Sequence, residues 1–169
     1  MEEHVINNIL KICEILQKHN VDYLIVGGTA LAFHGYYRMS RMSNDLPSEK
    51  HDFHFWYNPT YENYFRLLNA IEELGINVQE FKNEKAPNPK KSFFSHEFEE
   101  FKIDFLPEIL GLDRFNSSFS KRITSDVRGV KIYILSKDDL VKSKSASSRN
   151  KDKDDLNELK ALFPDDENN

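Results

Sequence analysis

Asp52 and His54 stand two positions apart in the run from His51 to Tyr57, in which the two sides differ in chemistry. On a β-strand, residues i and i+2 project to the same side, so Asp52, His54 and Trp56 share one face while Phe53, Phe55 and Tyr57 share the other. A second run, Phe101–Leu106, sets Phe101, Ile103 and Phe105 on one face and Lys102 and Asp104 on the other. Acidic oxygens that converge from neighbouring strands can hold one or two Mg²⁺, which neutralise a triphosphate and orient an attacking oxygen. Phosphate also needs close backbone approach. Gly27-Gly28, followed by Thr29-Ala30, offers such a bend ahead of a short helix whose amino end attracts negative charge.

The rest of the chain must position these groups. Val5, Ile9, Ile12 and Leu16 recur at helical spacing, with Ile6 and Cys13 widening the stripe, and predict a helix over 3–18. Residues 21–26 form a short, β-branched-rich run that predicts a buried strand ending at the diglycine, and residues 29–34 predict a short helix stopped by Gly35. Residues 39–50 contain a proline and no periodicity, and predict a loop. Asn58-Pro59-Thr60 ends the strand that carries Asp52 and caps a helix whose apolar face is Tyr64, Leu67, Leu68, Ile71 and Leu74, closed by Gly75. Residues 82–91 read as a second loop and 92–98 as a strand before the one that carries Asp104. Residues 108–125 give only a mixed pattern. A strand follows over 130–135, then a helix opened by Ser136 with Asp139 in the manner of a capping box, then a helix over 152–163 with Leu156, Leu159 and Phe163. Residues 164–169 are expected to be a disordered tail, which leaves 1–163 as one domain.

Composition narrows the class. The chain has 169 residues, and 39% hydrophobic residues with 13 Phe, 7 Tyr and 1 Trp give enough bulky apolar surface for a packed core, which excludes general disorder. A single cysteine, Cys13, permits no internal disulfide. No apolar run is long enough to span a membrane, and the acidic, amphipathic start does not read as a signal peptide, so a cytoplasmic location is expected. A net charge of -5 argues against nucleic-acid binding by general electrostatic attraction. The stretch 141–151 is nonetheless basic, with Lys142, Lys144, Arg149 and Lys151 and no acid among them.

Taken in order, these segments resemble the minimal nucleotidyltransferase family, including its antitoxin-like branch. Gly27-Gly28-Thr29-Ala30 and His34-Gly35 match the family's opening, Arg38 or Arg41 its basic residue, Asp52-Phe53-His54-Phe55-Trp56 its Asp-x-Asp strand, and Ile103-Asp104-Phe105-Leu106 its third-carboxylate strand. The carboxy-terminal spacing of Leu140, Lys144, Arg149, Lys151, Asp152, Asp155 and Leu156 is similar to a helical segment common in the group. The resemblance implies an α/β (α+β) fold with a mixed sheet flanked by helices and a helical carboxy-terminal segment. It also implies nucleotidyl transfer from an NTP, with Asp52 and Asp104 as catalytic acids and Asp52, His54 and Asp104 as ligands of Mg²⁺ or Mn²⁺. Gly27, Gly28, Thr29, Arg38, Lys144 and Arg149 would face the nucleotide. A toxin-like protein partner or an RNA acceptor is consistent with the same group.

The sequence departs from the pattern at one place: His54 replaces the second carboxylate. Asp45 offers a competing register, but Pro47 stands where its second acid would be. Imidazole is a poor ligand for hard Mg²⁺ and suits Mn²⁺, Zn²⁺ or Ni²⁺ better. A lost charge also matters, because a unit charge pair at 4 Å is worth roughly 4 kcal/mol at an effective dielectric of about 20. Weak nucleotide binding or slow turnover with Mg²⁺, or a non-catalytic role as an antitoxin-like or regulatory protein-binding member, are the expectations that follow. Plainer readings stand beside them. Gly27-Gly28 also suits a simple strand-to-helix bend, His34 and Trp56 suit packing, Lys144, Arg149 and Lys151 suit a solvated helix face, and Cys13 suits an inert core position.

Overall fold

The computed structural model describes residues 1–37 and 50–162. Its centre is a six-stranded mixed sheet built from β1 (Tyr23–Val26), β2 (His51–Tyr57), β3 (Phe94–Glu97), β4 (Phe101–Leu106), β5 (Ile123–Val127) and β6 (Val130–Ile134), in the order β3-β4-β2-β1-β6-β5. The helices are α1 (Glu3–Lys18), α2 (Gly27–Phe33), α3 (Tyr61–Glu73), α4 (Gln79–Lys82), α5 (Phe115–Phe119), α6 (Lys137–Ser145) and α7 (Asn150–Leu162). No described helix is long and apolar enough to cross a membrane.

The strands that matter for the site lie in the middle of the sheet. β1 pairs antiparallel with β2, setting Val26 opposite His54 and Ile25 opposite Phe55. β2 pairs parallel with β4, setting Asp52 opposite Lys102, His54 opposite Asp104, and Phe55 opposite Phe105. The odd-numbered side chains of β2 and β4 make one aromatic layer: Phe53 meets Phe101 at 5.2 Å between ring centroids, and Phe55 meets Phe105 at 5.4 Å. Phe53, Phe55 and Phe105 are buried, each worth roughly 1.5–3 kcal/mol of transfer free energy. This layer fixes the register, because a slip of one residue would send every phenylalanine to the other face and the polar side chains into the core.

The helices cover the layer for the reasons the sequence gives. α1 buries Val5, Ile9, Ile12, Cys13 and Leu16 along one stripe and lies against α3 and β6. α3 opens on Thr60, whose hydroxyl accepts from the Asn63 amide at 3.2 Å. Asn63 then ties the helix to the turn below it: its amide side chain accepts from the Asp22 backbone N–H and donates to the Asp22 and Asn58 carbonyls. Ser136 caps α6 as its spacing predicts, accepting from the Asp139 amide at 3.3 Å. Trp56 is buried, donating to the Pro107 carbonyl at 3.0 Å and meeting Phe115 edge-on, so it belongs to the core.

The region without a clear pattern contains α5 and the start of β5, and the expected loop 82–91 contains the end of α4 and a single 3-10 turn over Pro89–Lys91. The last helix begins at Asn150, two residues earlier than the periodicity predicts. Of the expected loop 39–50 only Lys50 is among the described residues, and Phe163 and the tail fall outside them.

Candidate active site

The alternation of β2 and β4 places Asp52, His54, Lys102 and Asp104 on one face of the sheet. His54 Nε2 lies 3.3 Å from Asp104 Oδ2. Lys102 Nζ lies 3.6 Å from the same oxygen, and Ser95 Oγ donates to Asp104 Oδ1 at 2.5 Å. Asp52 is the diagonal neighbour of Asp104, about 8 Å away between Cα atoms from the strand spacing and rise. The two expected acids therefore share a face and a neighbourhood, and the residue between them is a histidine already engaged with one of them.

Asp104 is 7% exposed. Burial disfavours its charged form, but the hydrogen bonds from His54 and Ser95 and the charges of His54 and Lys102 outweigh it and hold the carboxyl below its ordinary value. It is an ionised acid whose two oxygens are both in use. Alternation alone puts Lys102 on this face but gives it no role, and nothing in the local pattern of residues 92–98 points to Ser95. The signal for Ser95 is the hairpin register, which sets it opposite Asp104.

The diglycine meets this cluster directly. Gly27 begins α2 at φ +64, and a Cβ there would stand 2.9 Å from His54 Nδ1. Glycine is required at this position by its left-handed backbone and by the imidazole against it. One ring nitrogen of His54 thus faces Asp104 and the other faces the bend. Thr29, expected to face phosphate, is instead buried, with its hydroxyl donating to the Asp52 carbonyl at 3.4 Å. It fastens α2 to β2. His34 contacts the Leu135 carbonyl through Nε2 at 2.8 Å, as the packing reading of that residue requires.

The carboxy-terminal cations form a separate cluster. Lys144 is 6% exposed, with Nζ 2.8 Å from Asp152 Oδ1 and 2.9 Å from Asp155 Oδ2. Arg149 Nε and Ser147 Oγ each lie 2.6 Å from Asp152 Oδ2. The expectation of cations without acidic neighbours is corrected here: α7 supplies two aspartates, and Lys144 is turned inward to them rather than toward a phosphate. Burial pushes the Asp152 carboxyl up, but the Lys144 hydrogen bond and charge, with help from Ser147 and Arg149, bring it down to about 2. A signal for this pair was present in the sequence. Asp152, Asp155 and Leu159 fall on one helical face, so two acids sit in a stripe that must pack. Arg38, Arg41 and Asp45 lie outside the described residues.

The donor set does not fit a Mg²⁺ pair. Among the described residues no group of three or more His, Cys, Asp or Glu side chains could hold a metal ion. The nearest approximation, Asp52, His54 and Asp104, offers one imidazole in place of a hard oxygen and one carboxylate already shared among His54, Lys102 and Ser95.

A mixed sheet with acids on paired central strands, beside a glycine bend that opens a helix, defines a nucleotidyltransferase-like fold. The chain belongs to the family described as "Nucleotidyl transferase of unknown function (DUF2204)", which matches residues 5–168. No curated protein matches the sequence. In structure the chain is similar to the lincosamide antibiotic adenylyltransferase LnuA with lincomycin bound, with a TM-score of 0.57 and 16% identity over 96% of this chain and 99% of that one. It is also similar to the antibiotic-resistance factor ANT(2'')-Ia, with a TM-score of 0.56 and 16% identity over 95% of this chain and 85% of that one. A third similar structure is an antigenic nucleotidyltransferase-like protein from Paracoccidioides brasiliensis, with a TM-score of 0.50 and 14% identity over 94% and 74% of the two chains. These likenesses bear out the α/β nucleotidyltransferase-like architecture expected from the sequence.

Proposed function

We propose that the chain binds a nucleoside triphosphate beside the Gly27-Gly28 bend and that its nucleotidyl transfer with Mg²⁺ is slow. The reaction is attack of an acceptor oxygen on the α-phosphorus, with pyrophosphate leaving. The observation that carries this reading is His54 bound to Asp104 at the place where the resemblance calls for a second carboxylate. Asp52 and Asp104 are the acids retained, and Gly27 and Gly28 are the backbone over which phosphate would lie. A His54→Asp variant supplies the missing hard oxygen and negative charge.

The test uses NTP labelled on its α-phosphate, Mg²⁺, and a set of candidate acceptors that includes protein, RNA and small hydroxyl compounds. The variant should transfer label at least about tenfold faster than the unaltered chain, which corresponds to roughly 1.4 kcal/mol of barrier. Equal rates would defeat the proposal.

A second reading is favoured by the crowding of His54, Lys102 and Ser95 on one carboxylate. On that reading the chain is a non-catalytic, antitoxin-like or regulatory member that acts by binding a protein. An ionised carboxylate whose charge is already matched by protein groups is what a site released from metal chemistry would retain. The unaltered chain should then transfer no label to any acceptor while forming a stable complex with a toxin-like protein encoded beside it. Label transfer by the unaltered chain excludes this second reading.

A further inference from the structure

The mismatch between this donor set and Mg²⁺ has a positive side. Lys102 places a protein cation beside Asp104, on the face where a metal would otherwise offset the charge of a triphosphate. Asp52, Asp104 and Glu97, which stands opposite Lys102 on β3, are the described acids of that face, with His54 in the remaining position; Lys102 beside Asp104 and Lys50 at 2.7 Å from Glu97 offset two of their charges. Lys102 is part-exposed, with 40% of its side chain accessible. Its ammonium therefore has room to leave Asp104 Oδ2 for a stronger anionic partner, while His54 and Ser95 continue to hold the carboxylate.

We propose that this site takes the triphosphate of a nucleotide without a divalent cation, with Lys102 in direct contact with the phosphate oxygens. The inference rests on the nucleotide-binding reading above and deepens it by naming what neutralises the ligand. Lysine suits the task as a compact point charge with three donors. His54 has a complementary part. Held through Nε2 by Asp104, and with Nδ1 against Gly27, it fills the space of the absent acid without adding negative charge to repel the ligand.

The experiment is a titration of the full chain with a fluorescent ATP analogue, in EDTA and again in excess MgCl₂ or MnCl₂, for the unaltered chain, Lys102→Met and His54→Asp. Affinity in EDTA should lie within about threefold of that in Mg²⁺, a difference below 1 kcal/mol by the standard conversion. Lys102→Met should weaken binding in EDTA by about tenfold or more, the scale of one lost charge-assisted hydrogen bond. His54→Asp should make binding depend on the metal. Thermal unfolding of each variant checks that a loss of affinity is not a loss of fold.

Binding in Mg²⁺ that disappears in EDTA would overturn the inference and leave the nucleotide-binding reading standing. An unchanged affinity for a folded Lys102→Met would also overturn it. Absence of binding under every condition would remove the nucleotide-binding reading itself, and this inference with it.

Discussion

The face shared by β2 and β4 and the seam between α6 and α7 both bring a lysine to aspartates, yet they use the pairing in opposite ways. At the seam, Lys144, Asp152 and Asp155 are all buried, and the lysine is divided between two carboxylates at 2.8 and 2.9 Å. On the sheet, Lys102 approaches Asp104 only to 3.6 Å and keeps much of its side chain in solvent. A buried pair cannot release its cation without leaving an uncompensated charge, whereas a half-exposed lysine can exchange partners. Burial, more than residue type, separates the cation that holds two helices together from the one available to a ligand.

The largest effect that would sharpen this contrast is at Lys144. Lys144→Met should destabilise the fold by about 3–5 kcal/mol, because Asp152 and Asp155 would remain buried without their counter-charge. Urea unfolding measures it, and a loss below about 1 kcal/mol would place Lys144 among ordinary surface pairs.

The next effect is smaller and depends on pH. Asp152 is held at about 2 in the folded chain, below its ordinary value of 3.8. Its contribution to stability is complete above about pH 4 and is lost as the pH falls toward 2, amounting to about 2 kcal/mol. Asp152→Asn should therefore show a shallower fall of stability between pH 4 and pH 2 than the unaltered chain. Parallel curves would show that the cluster carries no such linkage.

The smallest effect concerns the bend. Gly27→Ala places a Cβ at a positive φ and against His54 Nδ1, so a cost of about 1–2 kcal/mol is expected from the backbone alone. The steric part should vanish in a His54→Ala background, giving a coupling of about 1 kcal/mol in a double-mutant cycle. A coupling of zero would separate the bend from the imidazole and break the picture of one contiguous site.

Much of this was legible in the residues themselves. Regular alternation in 51–57 and 101–106 gave the strands and their faces, and the apolar stripes of 3–18 and 61–74 gave α1 and α3, because each of these patterns reports one buried side. The region from 108 to 125 was not legible, since α5 has five residues and is held by Phe115 against Trp56, a contact that no local pattern announces. β5 was hidden because it is an edge strand with no buried position. At the site, the shared face of Asp52 and His54 followed from period two, whereas placing Asp104 with them needed the pairing of β2 with β4. Lys102 stands beside Asp104 on the same strand, but the hydrogen bond from Ser95 needed the pairing of β3 with β4, and the inward turn of Lys144 needed the packing of α7 on α6.

The parallel pairing of β2 with β4 also bears on when the site appears. No hairpin can bring His54 to Asp104, since two parallel neighbours are joined only by a crossover, here the segment that contains α3. Closing such a long-range contact is slow relative to local helix and hairpin formation. A nascent chain interrupted before β4 would hold the diglycine and the imidazole but no partner for them. The ring resonances of His54 would thus serve as a late marker of refolding, reporting the arrival of the last strand the site requires.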